Sequence, residues 1–418
     1  MAHPLDPAQR DALTRRSFVT VGALGTMALA ACSTNNTAAG TASTETTAAG
    51  TSPTPSASPT PAFVGTVTVV PALDQVEINP LETVTVSTQD STLTKVTVTT
   101  DKGEDLAGEL AADGKSWTST DRMVFKRTYT VSWEADDAEG NSGKGKSTFA
   151  TVSAPYEADA RINIADGETV GIGRIIQFDF SEPVINKAEV EERIKITGGG
   201  DFPGKFRWYS DKMVRYRPEK KWATNSTITI ELDIFGLDIG NGMIGNHELK
   251  RTFHTWNKRY ALADNTTKTI KMWVDDKLIH EAPITLGNAD WPSVVGELVI
   301  IEKAESYFFN PGSLDLAEDD PHYYEPFWAS WTSRLTASGV FVHQALPSAW
   351  PSVGYANLSH GCIGMLPEDV KIFYNNFGVG DVVETINTGY PQADPDDGYG
   401  DWNIPFENYS DASWKGNW

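Results

Sequence analysis

The sequence predicts a mainly β protein: two immunoglobulin-like sandwiches, then a third, β-rich domain with few and short helices. Two observations carry this. Period-two runs recur from residue 63 onward, as in Lys95-Val96-Thr97-Val98-Thr99 and Tyr129-Thr130-Val131-Ser132-Trp133. Clusters such as Asp136-Asp137-Ala138-Glu139-Gly140-Asn141 break these runs at the short spacing of antiparallel sandwiches. A length of 418 residues allows about three domains at roughly 150 residues each. The formal net charge of −22 argues against nucleic acid and against a basic membrane-surface patch. The acidity itself reads as solubility.

The first 31 residues read as an export signal. Thr14-Arg15-Arg16-Ser17-Phe18-Val19 leads into a mild apolar run that closes on Leu29-Ala30-Ala31-Cys32. The Arg-Arg-x-Phe order suggests the twin-arginine route, with general secretion as the alternative. Leu-Ala-Ala-Cys is similar to a lipobox, in which Cys32 is lipidated and becomes the new N-terminus. A plain cleavage site with an incidental cysteine is the other reading. Residues 32–62 then form a tether. It is Ser, Thr, Ala, Gly, Asn and Pro with a single charge, Glu45, and cannot bury enough apolar surface to fold. Two Ser-Pro-Thr-Pro repeats stiffen it, for a reach of roughly 90–100 Å when fully extended. After residue 32 no stretch approaches the ~18 apolar residues of a membrane span.

The two sandwiches are expected at 63–153 and 156–256. The second includes Ile175-Ile176-Gln177-Phe178-Asp179-Phe180-Ser181 and Thr227-Ile228-Thr229-Ile230-Glu231-Leu232. Nothing in either has the look of a site. His247 and His254 are isolated and read as packing residues. The expected role of both domains is to space and orient the third domain, with wall contact as a weaker possibility.

The catalytic domain is expected at 257–390. It opens with strands around Lys268–Val274 and Lys277–His280, and another is expected over Glu297–Ile301. Ile270, Met272 and Val274 alternate with Lys271 and Trp273, as on a half-buried strand. Pro367-Glu368-Asp369 suits a helix start, with the helix running to about Phe377. Val382–Ile386 is a closing strand, and residues 391–418 form a tail expected to pack on the catalytic domain.

The chemistry lies in Ser359-His360-Gly361-Cys362-Ile363-Gly364. Cys362 is one of two cysteines in the chain. With Cys32 in the lipidation signal, Cys362 is left without an intramolecular disulfide partner. His343 ends the apolar run Gly339-Val340-Phe341-Val342, and a loop of fifteen residues separates it from Ser359. An imidazole next to a thiol can take its proton and leave the nucleophilic thiolate. Taken singly, His343 reads as a packed strand-end residue, and Cys362 as a small hydrophobe or an intermolecular disulfide. The two together favour nucleophile and base. Gly361 leaves room for an approaching carbonyl, and N–H groups around Gly361-Cys362 can face a developing oxyanion. His360 can hydrogen-bond locally or lie along the substrate. No Cys-x-x-Cys or His-x-x-x-His spacing supports zinc.

These residues resemble the signature of L,D-transpeptidases, the YkuD-like catalytic domain. The likeness extends through Phe373-Tyr374, Gly380-Asp381-Val382-Val383 and Asn387-Thr388. Gly400-Asp401-Trp402-Asn403-Ile404-Pro405 resembles the tail of the mycobacterial-type branch, which carries tandem immunoglobulin-like domains ahead of the catalytic one. The resemblance implies Cys362 as acylated nucleophile and His343 as base and later acid. It implies that His360, Ser359 and Gly361 shape the substrate and oxyanion region, that Ser338 and Gly339 line the donor channel, and that Tyr324, or its neighbour Tyr323, sits on a lid. Three positions depart from the pattern: Gly364 for the usual asparagine, Asn288 for a common basic residue, and Gln344 for a common serine.

The implied substrates are peptidoglycan stems, with a tetrapeptide as donor and the side-chain amine of a diamino acid as acceptor. Cys362 would attack the bond before terminal D-alanine, and the resulting thioester would pass to the amine as a 3→3 cross-link. No cofactor is implied, no metal, and no membrane contact beyond the N-terminal lipid; carbapenem-type β-lactams are implied inhibitors. The competing readings are an L,D-carboxypeptidase or other cysteine hydrolase of the same stems, and a non-catalytic wall-binding lipoprotein in which Gly364 marks a decayed site.

Overall fold

The computed structural model describes residues 62–314, 317–320 and 323–418. The export signal, Cys32 and all of the tether but its last residue lie outside them. The described residues form a mainly β structure.

In the first sandwich, one sheet orders Val67–Val70, Thr85–Thr88, Ser116–Ser119 and Gly108–Leu110. The other orders Gln75–Ile78, Ser142–Thr151, Thr128–Asp137 and Ser91–Thr100. The period-two pattern does its work here. Tyr129 and Val131 turn inward with Val98 and Phe149, and the Tyr129 ring stacks on Phe149 at 5.4 Å. Each such fully buried side chain contributes about 1.5–3 kcal/mol. The second sandwich pairs a sheet of Ala160–Ile162, Ile176–Phe180, Met213–Pro218 and Gly204–Ser210 with one of Thr169–Val170, Glu248–Thr255, Thr227–Asp233 and Ile194–Gly198. Ile176, Phe178, Ile228, Ile230 and Phe253 fill its core.

The catalytic sheet has nine strands: β1 (Arg259–Asp264), β2 (Thr269–Val274), β3 (Lys277–Thr285), β4 (Gly296–Val299), β5 (Glu302–Phe309), β6 (Phe327–Arg334), β7 (Phe341–Gln344), β8 (Ile363–Met365) and β9 (Val382–Ile386). Their order across the sheet is β4-β9-β1-β2-β3-β8-β7-β6-β5. Only β1–β9 and β7–β8 are parallel pairs. The helix α1 (Pro367–Asn376) begins with its proline and two acids and buries Val370 and Phe373 against the sheet core.

The long hairpin β5–β6 has no clear signal in the sequence. Trp328 is 67% exposed and Phe308 44% exposed, and the two rings pack on each other at 5.2 Å. Aromatics on the outer face erase the in–out alternation that marks a half-buried strand.

The catalytic domain closes directly on the second sandwich. Gly171 and Gly173 N–H donate to the Val379 and Gly380 carbonyls, and Trp256 Nε1–H donates to the Asp381 carboxylate at 2.7 Å. Burial pushes the Asp381 carboxyl up to about 7.

The tail, expected on the catalytic domain, is held by both neighbours. Asn403 exchanges hydrogen bonds with the Glu297 backbone of β4. The larger polar grip comes from the second sandwich. Arg207, Arg215 and Arg217 are only 5%, 4% and 3% exposed, so their guanidinium groups must find acceptors away from water. The tail supplies them. Arg207 donates to the Asp411 carbonyl at 2.6 Å, Arg217 to the Ile404 carbonyl, and Arg215 to the Pro395 carbonyl and to Asp401.

Candidate active site

The site is built where β7 and β8 run parallel. Val342 pairs with Ile363 and His343 with Gly364. One step back, this register sets Cys362 beside Phe341. Residues side by side in a sheet share a face, and so do residues two apart on a strand. Cys362, Phe341 and His343 therefore project to the same side. Cys362 packs against the cluster of Phe309, Ala329 and Phe341, which Tyr307, Tyr324 and Phe327 also join, and the His343 ring packs on Phe309 at 5.4 Å. The thiol hydrogen points to the Gly339 carbonyl, 3.6 Å away.

His343 is 7% exposed, and its Nδ1 is 2.8 Å from the Gln344 carbonyl. A carbonyl oxygen only accepts, so Nδ1 carries the proton and Nε2 keeps its lone pair. The group that orients the imidazole is therefore a main-chain carbonyl. Gln344 supplies it as well as serine would, so this departure costs nothing at that bond. Burial pushes the Cys362 thiol up to about 11 and holds His343 below its ordinary value of 6.5. Both shifts favour a neutral thiol and a neutral imidazole.

Tyr324 is the tyrosine beside the thiol. It joins the same aromatic cluster as Cys362 and packs on Phe327, and its ring lies 5.3 Å from that of His360, which lies 6.0 Å from the Trp291 ring. Two residues expected to meet substrate do something else with their hydroxyls. Ser359 gives its one proton to the Cys362 carbonyl at 2.7 Å and accepts from Gly361 N–H, so it clasps the loop. Ser338 turns to the tail: its N–H and hydroxyl both donate to Asp397. Gly339 remains at the thiol through its carbonyl. Gly361 N–H is already spent on Ser359, so of the two backbone donors expected here, Cys362 N–H is the one to consider for an oxyanion.

Comparison with known proteins places the chain in a family. A family model described as the L,D-transpeptidase catalytic domain matches residues 258–385, and one described as a bacterial Ig domain matches residues 75–238. Over 326 residues the chain is 30% identical to L,D-transpeptidase 2 of Mycobacterium tuberculosis, an overlap of 78% of this chain and 79% of the relative. The chain belongs to the L,D-transpeptidase family. L,D-transpeptidase 5 of the same species is 26% identical over 355 residues, which is 83% of this chain and 76% of the relative. A solved L,D-transpeptidase from Mycobacterium smegmatis is 26% identical, with a TM-score of 0.46 over 55% of this chain and 99% of that one. The protein is thus an acyltransferase of the cell wall, from a family that works through a cysteine nucleophile.

Gly364 has a structural cause within this L,D-transpeptidase. A Cβ at that position would come within 2.8 Å of Thr285 Cγ2 and 3.4 Å of Ala345 Cβ. Thr285 cannot easily yield. It is 3% exposed, its hydroxyl donates to the Ala356 carbonyl at 2.8 Å, and it accepts from Leu358 N–H at 3.0 Å. A decayed site is therefore not needed to explain the glycine: the space an asparagine would use is occupied. Gly364→Asn is expected to destabilise by about 1–3 kcal/mol through overpacking. Thr285→Ala in the same chain should recover part of that loss. Denaturant unfolding of the two single variants and the double variant checks this, and strict additivity would refute it.

Asn288 likewise has a local task. Its side-chain carbonyl accepts from Asp290 and Trp291 N–H, both at 2.9 Å, and so shapes the loop that brings Trp291 to His360. Trp291, Ser293 and Asp397 were not singled out from sequence. Ser293 is 2% exposed and lies between Gly287 N–H and the Gly361 carbonyl. A short polar residue among apolar neighbours in Pro292-Ser293-Val294-Val295 was the only signal for it.

Proposed function

We propose that Cys362 is the nucleophile and His343 the base of this L,D-transpeptidase, and that it joins peptidoglycan stems by 3→3 cross-links. The observation that carries the reading is the shared face of Cys362 and His343 on paired strands, with His343 Nδ1 bonded to a carbonyl and Nε2 left basic. Nε2 takes the thiol proton as sulfur adds to the carbonyl before the terminal D-alanine of a tetrapeptide donor. The carbon–nitrogen bond then breaks, the imidazolium returns its proton to the departing amine, and a thioester remains. The amine of an acceptor diamino acid loses its proton to His343, attacks the thioester and restores the thiol. Every step is a proton or acyl transfer within this set of groups.

The reading includes an exported, lipid-anchored protein on the outer face of the cytoplasmic membrane. Its support is the Arg-Arg motif, the Leu-Ala-Ala-Cys run and the Pro-stiffened tether, all from sequence.

Incubation with a tetrapeptide stem, followed by mass spectrometry of the products, tests the reaction. A dimer lost in Cys362→Ala, together with free D-alanine, is the expected result. Tripeptide without dimer would instead assign a carboxypeptidase. No turnover by the intact protein would favour a wall-binding role.

A further inference from the structure

We infer that Ser293 is a positioning residue for this reaction: it holds the Gly361–Cys362 peptide in the one plane that lets Cys362 N–H serve as oxyanion donor. The inference rests on Cys362 being the nucleophile, and deepens that reading. A serine hydroxyl has one proton and two lone pairs. Ser293 Oγ accepts from Gly287 N–H at 2.9 Å and donates to the Gly361 carbonyl at 2.8 Å. With a donor on one side and an acceptor on the other, a 2% exposed hydroxyl has a fixed direction.

The peptide it holds would otherwise have little reason to keep that plane. Gly361 sits at φ +113°, where it has no Cβ to resist rotation of the next peptide unit. In a trans peptide the carbonyl and the next N–H point to opposite sides. Pinning the Gly361 oxygen toward Ser293 therefore turns Cys362 N–H the other way. A flipped peptide would present a carbonyl oxygen where negative charge develops, and repel it. The plane after the nucleophile is held as well, because Ser359 Oγ donates to the Cys362 carbonyl at 2.7 Å. The segment carrying Ser293 is itself anchored, since Asn288 N–H donates to the Ser359 carbonyl at 2.9 Å. Ser293 and Ser359 thus grip the two peptides on either side of the sulfur-bearing residue.

Two reactions of the same thiol separate this role from general support. Acylation by a carbapenem passes through a tetrahedral oxyanion. Alkylation by iodoacetamide displaces iodide at a saturated carbon and forms none. In Ser293→Ala, acylation measured by intact mass should slow by about 10²–10³-fold, the loss typical of an oxyanion donor. Alkylation of Cys362 should keep its wild-type rate. The pair Ser293→Thr and Ser293→Val, alike in shape and different in the hydroxyl, repeats the comparison without a cavity: threonine should preserve acylation and valine should lose it. The infrared carbonyl band of the acyl-enzyme should move to higher frequency in the variants without a hydroxyl. Equal acylation by Ser293→Thr and Ser293→Val would overturn the inference and leave the nucleophile standing. So would a parallel fall in acylation and alkylation, which is the mark of a collapsed loop. A wild-type protein that alkylates but never acylates would overturn both readings.

Discussion

Cys362→Ala is expected to take no acyl group from a carbapenem, while His343→Ala acylates about 10²–10⁴-fold more slowly than wild type. The asymmetry comes from the site. Sulfur forms the bond, so without it no adduct can exist. The imidazole supplies the route for a proton that the thiol, pushed up to about 11, does not release by itself at neutral pH. The same pair sets the pH dependence. As the proposed base, His343 acts only when neutral, and burial holds it below 6.5. The acid limb of the acylation rate should therefore fall below the pH expected of a free imidazole, with a plateau through neutrality. A limb centred above 6.5 would mean that the histidine is held charged beside a thiolate, contrary to the neutral pair that burial favours. Intact-mass kinetics across pH, on wild type and both variants, measures all of this.

Asp401→Ala is expected to cost about 3–5 kcal/mol of stability, the usual penalty for stripping one partner from a buried ion pair. Asp401 is fully buried. It accepts from Tyr209 at 2.8 Å, Tyr409 at 2.6 Å and Arg215 at 3.1 Å. The Arg215 guanidinium lies against the Tyr209 and Tyr399 rings at 4.4 and 4.8 Å. Its remaining carboxylate partner, Asp396, is at 3.4 Å and half-exposed. Asp401→Asn, which keeps an acceptor for the tyrosines, should lose less. Denaturant midpoints for the two variants check the order. Acylation should also slow in Asp401→Ala. The tail it anchors carries Asp397, which holds the Ser338–Gly339 turn, and the Gly339 carbonyl faces the thiol. Unchanged stability in Asp401→Ala would show that the second sandwich does not depend on the tail.

Much of the catalytic sheet was legible because its signals are local. The alternation of Ile270, Met272 and Val274 appears in β2, where Ile270 and Met272 are fully buried. Pro367, Glu368 and Asp369 begin α1 as their chemistry suggests. The hairpin β5–β6 was not legible, because its aromatic side chains face solvent as well as core. Tyr324 could be separated from Tyr323 only by packing, since the two are adjacent and chemically alike. Ser338 and Ser359 were assigned to substrate by position in a pattern. The hydrogen bonds their hydroxyls make within the chain, to Asp397 and to the Cys362 carbonyl, depend on where distant or folded-back chain arrives.

By itself the sequence determined the mainly β architecture, the lone thiol of the folded chain, and an imidazole at the end of an apolar strand. Periodicity, composition and the identity of reactive groups need no partner to be recognised. Only the tertiary structure decided what each of these groups touches. Thr285 fills the space beside Gly364, Ser293 reaches Gly361 across 68 residues, and Arg215 meets Asp401 across 186. Such contacts depend on excluded volume and on the need of each buried polar group for a partner. Neither can be counted until the chain has closed around them.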